Sequence, residues 1–108
     1  MHNLKWSKPE KEVARRAFNA AYARECDTIR TELAEMIGRA AAPQDLWRIH
    51  DYLTEQRRRI DEKYDYRYSV LHFLFARLLN EEWIDEDDLE GLREDKIQFI
   101  IGIANLGD

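Results

Sequence analysis

The chain of 108 residues contains one cysteine, Cys26. An internal disulfide and any CxxC metal or redox motif are therefore excluded. Proline occurs only twice and glycine only four times, so little interrupts helix formation. Positive charge is not in excess: 17 Lys and Arg face 22 Asp and Glu, for a net charge of −5. A generic grip on a nucleic-acid backbone needs a basic surface, so nucleic acid is not an expected partner. Long apolar runs are missing too. The most apolar stretch, around Val70 to Leu79, is broken by His72 and Arg77 and falls far short of the ~20 residues of a membrane span. The opening MHNLKWSKPE has no apolar signal-peptide core, and a cytosolic location is expected. Neither strand-type alternation nor an internal repeat is visible.

What is present is a mixture of 44% hydrophobic and 36% charged residues. That composition fits a folded, helix-rich single domain rather than a disordered chain. A core of this size is modest, and self-association is a natural source of further burial.

The periodicity predicts an all-α fold. Ser7 and Glu10 have the spacing of a capping box. From there nothing breaks the helix before Gly38. Phe18, Tyr22, Cys26, Ile29, Leu33, Met36 and Ala40 recur in near-heptad rhythm. A single helix of roughly 30 residues would be about 45 Å long, which needs a partner along its length. Pro43 opens a second helix, with Asp45 in its first turn and Leu46, Ile49, Leu53, Ile60 and Tyr64 as an apolar stripe. Lys63-Tyr64-Asp65-Tyr66 is the expected joint, with Tyr64, Tyr66 and Tyr68 as a packed hinge. A third, very apolar helix is expected over 67–82. A short helix over 84–91 follows, with Asp85 as cap and Gly91 as stop. A last helix is expected over 94–104, although Arg93 stands where a capping Ser or Asp is usual. The resulting picture is an elongated helix pair (1–63) joined to a small helical head (64–108).

The segment Asp45 to Tyr68 carries the candidate chemistry. On a helix, Trp47, His50, Asp51, Thr54, Arg57, Arg58 and Asp61 fall within about 120°, beside the apolar stripe. His50 as a base oriented by Asp51 would be an enzyme reading, but neighbours at i and i+1 face each other poorly. No nucleophile stands at a telling spacing either. An interface reading is stronger, because Trp and Arg are enriched at binding hot spots. His2, His50 and His72 are scattered, and the run Asp85 to Asp88 lacks the pattern of a calcium loop, so neither a metal nor a cofactor is expected. Cys26 lies on an apolar stripe, where it acts as a small hydrophobe.

Three stretches then carry a resemblance. They are Asp45 to Leu53 with Arg57, Ile60-Asp61 and the run Lys63 to Leu71; Phe75-Ala76-Arg77-Leu78; and Asp88 to Leu92. With Trp6-Ser7, they are similar to the cyanobacterial fluorescence recovery protein family over most of the chain. The resemblance implies a non-enzymatic regulator without cofactors. Such a protein binds the photoactivated orange carotenoid protein, chiefly its C-terminal domain. It speeds the return from the red to the orange form and promotes release from the phycobilisome, at the cytoplasmic face of thylakoids. A homodimer, with higher oligomers open, is implied. The working patch maps onto Trp47, His50, Asp51 and Arg57 at the dimer surface, and Phe73 matches an exposed head aromatic. Leu46 matches a dimer contact, and Leu46, Trp47, Ile49, His50, Leu53, Arg57 and Ile60 form the expected interface. The alternative is a dimeric helical adaptor of the same fold that binds an unrelated protein in a non-photosynthetic bacterium.

Overall fold

A computed structural model of the chain describes residues 5–107; His2 and the first residues of the opening segment lie outside them. Helix α1 spans Lys8–Arg39. Its start is the predicted box: Ser7 Oγ accepts from the Glu10 N–H at 3.3 Å, and Glu10 Oε1 accepts from the Ser7 N–H at 3.1 Å. Pro9 sits in the first turn, where its missing N–H costs nothing. Ala40 is extended and ends the helix. Helix α2, Pro43–Lys63, begins at once. No hydroxyl is needed at its start, because Asp45 Oδ2 accepts from the N–H groups of Ala41 and Ala42, both at 2.9 Å. These bonds hold the Asp45 carboxyl below its ordinary value.

The two helices run antiparallel. The Tyr52 hydroxyl donates to Glu32, while Lys63, further along α2, reaches back to Glu25 at 2.6 Å. Burial and the Glu32 carboxylate push the Tyr52 phenol up to about 12. The molecule measures 55 × 23 × 21 Å, elongated as predicted.

Helix α3, Leu71–Asn80, a 3-10 turn at Glu86–Leu89 and helix α4, Glu94–Leu106, form the compact end. Its core is Leu71, Phe75, Leu78, Leu89 and Ile100, all fully buried. Val13, Ala14, Ala17 and Ala21 of α1 belong to the same core. The small alanines let α1 approach closely. The first half of α1 therefore lies inside the head's core, and one helix runs through both parts of the molecule.

The third helix starts later than predicted. Residues 64–67 carry no regular structure and 68–70 form a turn. Packing overrides helix propensity there: Tyr64 and Tyr66 stack edge-on against Phe18 at 5.3 and 4.9 Å. Tyr68 meets Tyr66 at 5.5 Å and Trp6 at 5.8 Å. Through these ring contacts Tyr64, Tyr66 and Tyr68 join one aromatic cluster as a packed hinge. The helix ends earlier as well, at Asn80, because Glu82 turns left-handed (φ 65°) and Trp83 N–H closes onto the Leu78 carbonyl at 2.9 Å. The short helix shrinks to the single turn, with Asp85 and Asp88 capping each other's backbone at 3.2 and 3.0 Å. Gly91 stops it with φ 109°, and a Cβ there would lie 2.6 Å from Val13.

Arg93 needs no capping side chain because α1 supplies the cap. Glu10 Oε2 accepts from the Arg93 N–H at 3.0 Å and lies 3.2 Å from Lys96 Nζ. One buried carboxylate thus holds the starts of both α1 and α4. Burial opposes its charge, but the Arg93 and Ser7 N–H groups and Lys96 win, and Glu10 sits below its ordinary 4.5. Arg24 and then the Asp85 backbone hold Asp88 below 3.8 against burial. His72 is buried, and neither ring nitrogen has a hydrogen-bond partner among the described residues. Burial, then the Lys96 charge, push its pKa below 6.5.

These shifts give stability a two-step acid profile. His72 takes up a proton near pH 6.5 when unfolded and lower when folded, so stability falls as pH drops below about 6.5. Glu10 and Asp88 stabilise the fold above their unfolded values, and that stability is lost as pH falls through about 4.5 and below. Urea unfolding from pH 8 to 3 should show both declines. His72→Leu should remove the first, and Glu10→Gln should flatten the second.

Candidate functional site

Helix α2 has two faces, and they divide the predicted apolar stripe. Ile49, Tyr52, Gln56 and Ile60 turn toward α1 and are partly or fully buried, with Ile60 at 7% exposure. Leu46, His50, Leu53 and Arg57 recur at spacings of 4, 3 and 4 on the adjoining flank, turned by about 85°, where all are exposed. Leu46 is 61% and Trp47 66% exposed. Of the residues expected at a dimer seam, Ile60 is thus used within the chain and Ile49 half used, while Leu46, Trp47, His50, Leu53 and Arg57 stand free on one surface.

The heptad residues of α1 are incompletely covered as well. Cys26, Ile29, Leu33 and Met36 are only half-buried, and Tyr22 and Ile37 are exposed. The helix hairpin therefore presents apolar surface that its own chain does not cover. Exposed apolar patches on a folded chain are characteristic of protein–protein contact sites.

The polar members of the surface are held lightly. His50 Nδ1 lies 3.5 Å from Asp51 Oδ1, and both side chains are open to solvent. An imidazole and a carboxylate on an open helix face form no cleft for a substrate. Arg57 Nε lies 3.5 Å from Asp61, one turn on. Arg58 is tied by Glu55 and by Glu62 at 2.8 Å, which leaves Arg57 as the arginine next to Leu53 and His50. On the head, Phe75 is fully buried and Phe73 is 52% exposed, settling which of the two aromatics faces outward. Phe73 packs against His72, with ring centroids 4.4 Å apart.

One group carries the geometry between these places, and the sequence marked it only as the start of the joint, without its burial or its partners. Lys63, the last residue of α2, is buried, with Nζ 2.6 Å from Glu25 of α1 and 2.7 Å from Glu81 just after α3. Tyr64 donates to the same Glu25 oxygen at 2.8 Å. Arg77 and Trp83 bind Glu81 at 2.8 and 3.1 Å. Burial and then Glu25 push the Tyr64 phenol far up. Burial opposes charge on Glu81, yet Lys63 and Arg77 hold it below its ordinary value. A lysine at a helix end normally reads as a solvated charge near the dipole. Only the pairing of α1, α2 and α3 buries it between two carboxylates. Among the described residues no group of His, Cys, Asp and Glu is arranged to hold a metal ion, and no helix is long and apolar enough to cross a membrane.

A family profile described as photoprotection regulator fluorescence recovery protein matches residues 6–104. The chain belongs to the fluorescence recovery protein family. It is 38% identical over 101 residues to the fluorescence recovery protein of Synechocystis sp. (strain PCC 6803), covering 94% of this chain and 93% of that protein. The solved structure of the Fremyella diplosiphon fluorescence recovery protein is similar with a TM-score of 0.86 at 40% identity, covering 94% of this chain and 99% of that one. The Synechocystis structure gives a TM-score of 0.86 at 37% identity over the same shares. The chain is accordingly a photoprotection regulator of a non-enzymatic kind.

The division of α2 has a direct consequence. Ile60→Ala empties a site buried within one chain and should lower the unfolding free energy by about 2–4 kcal/mol, at any protein concentration, as read by urea denaturation. An unchanged midpoint would place Ile60 on the outer face instead.

Proposed function

We propose that this chain binds the photoactivated orange carotenoid protein, chiefly through that protein's C-terminal domain, and accelerates its return from the red to the orange form. In doing so it promotes release from the phycobilisome and restores antenna fluorescence. The place of action is the cytoplasm, at the cytoplasmic face of thylakoids. The observation that carries the reading is the outer face of α2, where Trp47 and Arg57 stand exposed beside Leu46, Leu53 and His50 in a chain of this family.

The working unit of the proposal is a homodimer. The second half of α1 and α2 supply the pairing, and residues 64–108 with the first half of α1 make the head. Uncovered Leu46 and Leu53, with Ile37 and Tyr22 nearby on the hairpin, give a second copy apolar surface to bury. Each fully covered Leu contributes about 1.5–3 kcal/mol. Trp47, His50, Asp51 and Arg57 then lie at the edge of the seam, and twofold symmetry presents the patch twice.

Covalent chemistry is not required for the acceleration. A binder speeds a conformational return when it holds the crossing state more tightly than the starting state. Trp47 offers a rigid apolar anchor, Arg57 a planar fork of donors, and Phe73 an apolar contact on the head. A patch of exposed side chains loses its own hydration on contact, so such residues dominate affinity.

Mixing tests the reading directly. Added to the photoconverted carotenoid protein in the dark, the chain should speed the red-to-orange decay in a concentration-dependent way; no acceleration over a wide range would overturn the proposal. Arg57→Leu should abolish the acceleration with helicity and mass unchanged. Loss of helicity instead would make Arg57 structural. Leu46→Glu should shift the mass by light scattering from dimer toward monomer, and equal masses would place the seam elsewhere.

A further inference from the structure

Lys8, Lys11, Arg15 and Arg16 form a cationic strip that the α2 face does not explain. On a helix they fall within about 140° of one another, and all four are exposed. Most cations of this chain hold a carboxylate: Arg24 pairs with Asp88, Arg48 with Asp45, Arg57 with Asp61 and Arg77 with Glu81. These four hold none among the described residues, although Glu12 lies on the same face. The net charge of the chain is −5, so the remainder is more acidic than the whole.

Two of the four are aimed. The Arg15 guanidinium lies 3.6 Å from the centroid of the Tyr66 ring, and Lys11 Nζ lies 5.1 Å from that of Tyr68. A ring face fixes a cation's position without cancelling its charge. An ion pair would fix it and neutralise it. The tyrosine hinge therefore does a second thing: it presents two cations, pre-oriented and uncompensated. Lys8, Lys11, Glu12, Arg15, Arg16 and Asn19 border one open stretch of the outer face of α1.

We infer that this strip is a second docking surface, which takes a short acidic segment of a protein partner. The strip spans about 12 Å from Lys8 to Arg16, with steps of three and four residues between Lys8, Lys11 and Arg15. Carboxylates at i, i+3 and i+7 of a partner helix have the same spacing. The chemistry favours protein over the other polyanions. A nucleic acid presents charge every ~1.7 Å over a long track, which a 12 Å strip on an acidic body matches poorly. An anionic membrane plane would bring the acidic remainder against like charge. Because the strip is on α1 and the proposed carotenoid-protein surface on α2, either stands if the other fails.

Fluorescence anisotropy of the full chain with a labelled octa-glutamate peptide tests this, at 20 and 200 mM salt. Binding should be seen at low salt and weaken at high salt. Lys11→Glu/Arg15→Glu/Arg16→Glu should weaken it at least tenfold, with helicity by circular dichroism unchanged. Arg30→Glu, also on α1, should change it less than twofold. Should the triple variant unfold, Arg15→Gln alone, expected to cost about threefold, replaces it. Absence of binding, or an equal loss in Arg30→Glu, overturns the inference. Tighter binding to a 20-nucleotide single strand, or to phosphatidylglycerol vesicles of equal charge, overturns the choice of a protein partner.

Discussion

The buried ammonium of Lys63 is the constraint on which the arrangement turns. It closes α2 against α1 through Glu25 and against the end of α3 through Glu81. A charge at 5% side-chain exposure is tolerated only when paired and hydrogen-bonded. The rings of Tyr64 and Trp83 and the carboxylates on two other elements supply that environment. Removing one partner of such a set costs more than the set contributes, because a buried charge is left behind. The contact is therefore better understood as a device that specifies one geometry than as a large source of stability. Glu10 repeats the device at the other end of the head, joining the starts of α1 and α4.

Fixing α2 in this way decides which of its residues are spent inside the chain. With Lys63 turned toward α1, helical geometry turns Ile60, Gln56, Tyr52 and Ile49 the same way. Leu46, Leu53, Arg57 and His50 fall on the adjoining flank and Trp47 beyond them, and all five stay exposed. The recognition surface proposed for this member of the fluorescence recovery protein family follows from the register of a hairpin. That register is set at the joint. The tyrosine hinge continues from the same point and lays Tyr64, Tyr66 and Tyr68 along α1, which orients Arg15 and Lys11.

Much of this was legible in the sequence, and the limits have physical reasons. The starts of α1 and α2 were readable from Ser7, Glu10, Pro43 and Asp45, because caps are local. The turn at Gly91 and the cap at Asp85 were readable for the same reason. The start of α3 was not, because side chains of α1 capture Tyr64, Tyr66 and Tyr68 and overrule helix propensity. Residues Leu46, Ile49, Leu53 and Ile60 do form one stripe, about 60° wide on a helix, but α1 covers only its Ile49 and Ile60 edge. Only the partner chosen by Tyr52 and Lys63 separates them. Trp47 and Arg57 stood out as residue types, whereas Lys63, Glu25 and Glu81 are common residues whose meaning lies entirely in their meeting.

The central claim is that Lys63 locks the helix hairpin and the head into one body. Hydrogen exchange of Lys63→Met against the native chain tests it most directly. Exchange should quicken at residues 60–74, on both sides of the joint, while the hairpin tip near Ala40 keeps its native rate. Unchanged protection at residues 60–74 would contradict the claim and leave the tyrosine packing alone to hold the joint.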